Sequence, residues 1–240
     1  MRTWPVHEAD HIVSLFTRDQ GKLKGIAKSS ARSRRRFGGA LEPMTHVLAS
    51  YVEKPRQELV RLDFCEILAS PLSETVDYAR AAALALFAEV LEETLPDHDP
   101  QDPVFRLALA VLDYTRAGEV WLPVTYFSLW ITRLMGWMPD LAHCLTCSRA
   151  FAGEAAYFNA QSDGLVCGEH RHAASRMLSP QSLAAAERIF RSPIAALAAE
   201  SWPRSRAADL RRFTLQALER HLERKLHSVA ALSRLSTGLR

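Results

Sequence analysis

A chain of 240 residues, 48% hydrophobic and 24% charged, has an ordinary globular composition and enough length for one large domain or two smaller ones. No apolar run reaches the ~20 residues a membrane helix needs. The opening MRTWPVHEADH has no apolar core behind Arg2, which argues against a secretory signal and makes the cytoplasm the expected compartment. The net charge of +3 conceals a segregation: residues 1–40 hold nine Lys/Arg against three Asp/Glu, residues 74–120 three against ten, and residues 200–240 nine against four. Basic ends around an acidic middle suit a polyanion on one surface, although the same asymmetry also describes a solvated exterior.

The first seventy residues read as strands. Met1–Val6 is a candidate, and His11–Thr17 is β-branched and apolar, followed by the turn Arg18-Asp19-Gln20-Gly21 and an extended Lys22–Lys28, which together suggest a hairpin. Met44–Val52 and Glu58–Leu68 follow, separated by a turn at Pro55. About five short strands in ~70 residues fit a small closed barrel of the OB type, and an SH3-like barrel fits the same count.

Past Pro71 the period changes to that of helices. Ser73 with Glu74 and Asp77 gives a cap and an acidic first turn for Val76–Leu95, which Pro96 ends. Val104–Arg116 and Val124–Trp137 are two more helices, broken by Gly118 and Pro123. Ser179-Pro180 starts another, running to about Arg191, and Asp209–Leu226 is a last, basic one. The expected architecture is α+β and multidomain: an OB-type barrel over residues 1–72, then a helical domain over 73–240 with an irregular insertion at about 140–172.

That insertion holds three of the four cysteines. Cys144-Leu145-Thr146-Cys147 and Cys167-Gly168-Glu169-His170 each place two donors three residues apart, so that one tight turn brings both to a single ion. Three thiolates and an imidazole fill the four corners of zinc and leave no open position, which describes a structural site. His172 and His143 are alternative fourth ligands, and Tyr157-Phe158 with Gly164-Leu165-Val166 suggests a short hairpin packing the site. Cys65 sits in a strand pattern and reads as a small buried hydrophobe.

The basic N-terminal segment is the candidate nucleic-acid track. Lys22, Lys24 and Lys28 lie on the second hairpin strand, and Arg32, Arg34, Arg35 and Arg36 follow in a connection that ends at Phe37-Gly38-Gly39. Such a face can follow a phosphate backbone, with few aromatics beside it for stacking. A competing track is the last helix, with Arg211 and Arg212. The sequence contains no GxxxxGK[ST] loop, GxSxG elbow or HExxH, so nucleotide, serine or zinc hydrolysis lacks its parts, and a non-enzymatic role is expected.

The stretch from Glu8 to Thr17, then Gly21-Lys22-Leu23, Ala27-Lys28, Ser33-Arg34 and Gly39-Ala40-Leu41-Glu42-Pro43, resembles the N-terminal signature of the RecO family. Glu66-Ile67-Leu68, Leu134-Met135-Gly136-Trp137 before Cys144, and Leu210-Arg211-Arg212-Phe213 with His221-Leu222 and Leu226-His227-Ser228 extend the resemblance over nearly the whole chain. It implies a nucleoid-associated DNA-repair mediator with an OB barrel, a helical domain and a zinc knuckle usually built from four cysteines. His170 replaces the fourth cysteine here. It also implies annealing of single-stranded DNA, with double strands a further ligand left open, and loading of RecA, together with RecR, onto DNA coated by single-strand-binding protein. The acidic tail of that protein would meet Phe127, Trp130 and Arg133, whose three- and four-residue spacing equally describes a core face. The competing function is an RNA-binding or translation-associated OB protein with a zinc knuckle.

Overall fold

The computed structural model describes residues 1–116, 120–160 and 163–234, so the expected break at Gly118 lies outside the described residues. The chain divides into two compact units, residues 1–118 with 226–240, and residues 119–225. Among the described residues no helix is long and apolar enough to cross a membrane.

The first unit begins with five strands: β1 (Arg2–Val6), β2 (Asp10–Thr17), β3 (Gly21–Ala27), β4 (His46–Val52) and β5 (Val60–Ala69). They form one sheet in the order β1-β2-β3-β5-β4. All neighbours are antiparallel except β3 and β5, which run parallel through Gly25↔Val60 and Ala27↔Leu62. That is the OB order, with its helix between the third and fourth strands supplied by one turn, α1 (Arg34–Phe37). Sequence reading treats this segment as an open loop; the helical turn forms because Phe37 is buried among Val13, Ala27, Ala40, Leu62 and Cys65 and anchors it. Burial pushes the Cys65 thiol up to about 11, so it stays protonated as a hydrophobe of the core. Gly21 must be glycine: its φ is +70°, and a Cβ there would lie 2.4 Å from the Asp99 carbonyl oxygen.

Helices α2 (Tyr78–Thr94) and α3 (Asp102–Arg116) complete this unit with α8 (His227–Arg234). The cap of α2 is Asp77, accepting from the Arg80 amide at 2.7 Å, whereas the expected cap, Ser73, ends a short 3-10 turn at Pro71–Ser73. Helix α2 buries Ala83, Leu86, Phe87, Val90 and Leu91, and Glu89 on its surface accepts from the His227 and Ser228 amides at the start of α8. The last helix expected from sequence, Asp209–Leu226, is α7 (Ala208–His221), which ends earlier, at His221; α8 lies beyond the expected helix and belongs to the first unit.

The second unit holds α4 (Trp121–Leu134), α5 (Pro180–Arg191), α6 (Ile194–Leu197) and α7 (Ala208–His221), plus a small two-stranded sheet of β6 (Ala156–Phe158) and β7 (Arg176–Leu178). Pro123 was expected to break a helix, but it lies in the first turn of α4, where a missing amide removes no intrahelical bond. Helices α4 and α7 meet along small polar residues: Thr214 Oγ1 donates to Ser128 Oγ at 3.0 Å, and both are fully buried. Asp209 joins α5 to α7. Its carboxylate accepts from the Ser179 amide at 2.7 Å, the Leu210 amide at 2.9 Å and the Ser182 hydroxyl.

Partial burial raises the Asp209 pKa, but its hydrogen bonds from Ser182 and Ser179 outweigh that and hold it below the ordinary 3.8. A depressed carboxylate stabilises the fold above its unfolded pKa and loses that contribution as pH falls through the folded value. Asp209→Ala is therefore expected to cost about 1–3 kcal/mol at neutral pH. Urea titrations at pH 7 and near pH 3 should show the gap between variant and parent narrowing in acid.

Candidate metal centre and nucleic-acid interface

Two tight turns build the metal centre. In the first, the Ser148 amide donates to the Cys144 carbonyl at 2.9 Å, and the Cys144 amide donates to the Arg149 carbonyl at 2.9 Å. In the second, the His170 amide donates to the Cys167 carbonyl at 3.1 Å. The Leu145 amide reaches the Leu165 carbonyl at 2.8 Å, and Tyr157 and Val166 exchange bonds of 2.8 and 2.9 Å, giving the expected pairing beneath the site. Phe158 stacks edge-on against Phe213 of α7 at 5.1 Å and ties the insertion to its unit.

The four donors, Sγ of Cys144, Cys147 and Cys167 and Nδ1 of His170, lie within 4.8 Å of one another. Measured separations are 3.9 Å from Cys144 to His170, 4.0 Å from Cys147 to Cys167 and 3.2 Å from Cys167 to His170. Zinc bonds of about 2.3 Å to sulfur and 2.0–2.1 Å to nitrogen require tetrahedral edges of about 3.5–3.8 Å, so the set fits that ion. Burial opposes ionisation of Cys144, but amides of Cys147, Cys167 and Thr146 outweigh it and lower the thiol pKa, favouring the ligating thiolate. The alternatives fall away on geometry. His143 Nδ1 sits 2.8 Å from Asp140, and His172 is exposed outside the cluster.

The basic residues are sorted by burial. Arg34 and Arg35 are exposed on α1 and neither forms an ion pair among the described residues, and Lys28 is exposed beside them. Arg36 closes the arrangement from within: Nε donates to Ser33 Oγ at 3.0 Å, Nη2 to the Lys28 carbonyl at 2.6 Å, and its guanidinium lies 4.9 Å over the Phe37 ring. Arg32 pairs loosely with Glu8 at 3.6 Å and Lys24 with Asp97 at 3.8 Å. Two expected track residues are structural instead. Lys22 is 9% exposed, donating to the Glu92 carbonyl at 3.0 Å and pairing with Asp97 at 3.2 Å. Arg211 is 5% exposed and donates to Thr125 Oγ1 and to the carbonyls of Arg206 and Arg204; burial pulls its pKa down to about 10, which leaves it charged at pH 7. Its neighbour Arg212 is exposed.

On α4, Phe127 is fully buried and belongs to the core, so it cannot touch a partner. Trp130 is half-buried and Arg133 is exposed, with its guanidinium 4.6 Å from the Phe190 ring and 5.6 Å from Trp130. Arg133 stands at a cavity of about 710 Å3 lined by Met138, Leu141, Phe151, Leu183 and Phe190. Phe190 and Leu183 were not singled out in the sequence; the amphipathic period of α5 is the signal that marks them.

Two family models cover most of the chain: Recombination protein O N terminal over residues 1–71, and Recombination protein O C terminal over residues 76–230. Among curated proteins, the chain is 53% identical over 235 residues to a DNA repair protein RecO of Koribacter versatilis, covering 98% of this chain and 96% of that one. It is 32% identical over 222 residues to the RecO of Anaeromyxobacter sp. (strain K), covering 91% and 87%, and 36% identical over 163 residues to that of Myxococcus xanthus, covering 67% and 65%.

The donor geometry gives a direct test of the ligands. Cys144→Ser and His170→Ala are each expected to lower zinc retention by at least tenfold in competition with a chelator, whereas His172→Ala and His143→Ala should match the parent. Retention in His170→Ala together with loss in His172→Ala would reassign the fourth ligand.

Proposed function

The chain belongs to the RecO family of DNA repair proteins, and on that premise we propose that it binds and anneals single-stranded DNA through exposed cations of its N-terminal β-stranded region. The observation that carries this reading is the exposed pair Arg34 and Arg35, held out from the barrel by the buried Phe37 and flanked by Lys28. Lys24, Arg32 and Arg36 lie on the same basic segment, while Arg212 offers a separate cation in the second unit. Cations on one face neutralise phosphates, release counterions and lower the repulsion between two complementary strands. Backbone contacts position a protein without reading sequence, which suits a protein that must act on any break.

The family role extends this to partners. With RecR, the protein helps RecA displace single-strand-binding protein from DNA, and the acidic tail of that protein has a receptor in the groove at Arg133. An apolar channel lined by Met138, Leu183 and Phe190 fits the tail's apolar end, and the Arg133 guanidinium its carboxylate. One zinc per chain, held by Cys144, Cys147, Cys167 and His170, fixes the insertion structurally and supplies no reaction.

Two measurements test the reading. Each phosphate contact on a single strand adds roughly 0.7 to the slope of log affinity against log salt, so Arg34→Ala with Arg35→Ala should lower that slope by up to about 1.4, equally on unrelated sequences, and slow annealing in parallel. An unchanged slope in the folded variant would move the DNA to another surface. A peptide of the acidic tail is expected to bind the parent at low salt and to bind Arg133→Ala at least fivefold more weakly; binding that ignores Arg133 removes the groove from the proposal.

A further inference from the structure

The outer face of the N-terminal sheet carries a row of side chains distinct from the arginine turn. Strand register defines it: Trp4 opposes Ile12, Ile12 opposes Ile26, Ile26 opposes Arg61, and Arg61 opposes Val52. Directly opposed residues share a face. The rows next to this one, Thr3–Val13–Gly25–Val60 and Pro5–His11–Ala27–Leu62, include the core residues Val13, Ala27 and Leu62 and so point inward. The Trp4 row therefore points outward. Trp4, Ile12 and Ile26 are partly exposed, and Arg61 and Val52 are exposed.

One cation lies at the indole: Arg2, two residues along β1, holds its guanidinium 5.8 Å from the Trp4 ring centroid. Lys24 lies two strands away, in the row that Arg2 shares with the buried Ser14. Arg61 closes the Trp4 row on the far side. Their acidic neighbours hold them loosely: Arg2 is 3.8 Å from Glu93 and Lys24 is 3.8 Å from Asp97, with the basic side chains 51% and 45% exposed. Arg61 is 3.1 Å from Asp63, with both about half exposed. Exposed pairs of this kind are worth about 0–1 kcal/mol, so a phosphate can take the cation from them.

We propose that Trp4 is a base-stacking platform of the strand-binding surface, with Arg2 receiving a phosphate next to the stacked nucleotide and Lys24 and Arg61 phosphates farther along the strand. The proposal rests on the reading of the N-terminal β-stranded region as the DNA-binding part and adds what the arginine turn cannot supply: preference for an unpaired strand. A phosphate backbone is common to single and double strands, whereas a flat aromatic face meets a base only where the base has no stacked neighbour. The ligand is an unpaired base of any identity, because every base has a π-face.

The test uses Trp4→Leu, which keeps apolar cover over Ile12 but removes the ring, and Trp4→Phe, which keeps a smaller ring. Binding is measured by anisotropy with an oligothymidine strand and with an abasic strand of equal length and charge. Trp4→Leu is expected to bind oligothymidine roughly 5- to 100-fold more weakly, at an unchanged salt slope, while Trp4→Phe recovers most of the affinity. On the abasic strand parent and variants should bind alike. Equal binding of oligothymidine by Trp4→Leu and the parent would overturn the platform, as would an equal loss on both strands. A parent that binds neither strand would overturn the strand-binding reading itself.

Discussion

The parallel pairing of β3 with β5 is the constraint from which the N-terminal unit follows. Parallel neighbours cannot be joined by a tight turn, so residues 28–59 must leave the end of β3 and cross before β5 begins. The crossing carries α1 and β4, and it needs an anchor at the open end of the sheet. Phe37 provides it, at 2% exposure among Val13, Ala27 and Leu62. Successive residues of a helical turn point about 100° apart, so a turn that commits one side chain inward must turn others outward. Those others are Arg34 and Arg35. The placement of exposed charge is a consequence of where the apolar residue goes.

The same packing decides which cations are available at all. Lys22, Arg80 and Arg211 are each less than a tenth exposed, and backbone carbonyls meet all three: Glu92 for Lys22, Thr75 for Arg80, and Arg204 and Arg206 for Arg211. A buried cation is costly unless its hydrogens find acceptors, and carbonyls supply acceptors without bringing a full opposite charge into the interior. These residues hold segments together: Lys22 fixes the loop around Asp97 against β3, and Arg211 fixes the chain preceding α7 against α4. Counting basic residues along the chain therefore overstates the charge offered to a polyanion.

Much of this was legible in the residues. The five strand segments emerge from β-branched runs and turn signals, and the parity of β2 alone, with Val13 inward, assigns the faces of its neighbours once register is known. The zinc-type spacing brought Cys144, Cys147, Cys167 and His170 together as expected, because a ligand-x-x-ligand turn is a local geometry. What the sequence hid was non-local. Lys22 and Lys24 differ by two residues on one strand, yet the loop at 97–99 covers only the first. Arg211 and Arg212 are adjacent, and the helix period puts one against Thr125 and the other in solvent. Resemblance alone makes Phe127 a contact residue, while its spacing with Trp130 and Leu134 describes a core face, and packing puts it in the core. Trp4 escaped notice because its partners, Ile12, Ile26 and Arg61, join it through ladders rather than along the chain.

A protein that brings complementary strands together must grip each without occupying the edges by which they pair. Arginine and lysine on phosphates leave the base edges free, and a ring against a base face does the same. A side-chain amide hydrogen-bonded to the Watson–Crick edge of an unpaired base, as Asn or Gln can be, would compete with the complementary strand for that edge. The outward row from Trp4 to Val52 contains neither, and the exposed turn of α1 presents arginines. On this reading the surface's simple chemistry is functional: it holds a strand by the two parts that hybridisation does not need, and exchange of the base edges can proceed while the backbone stays bound.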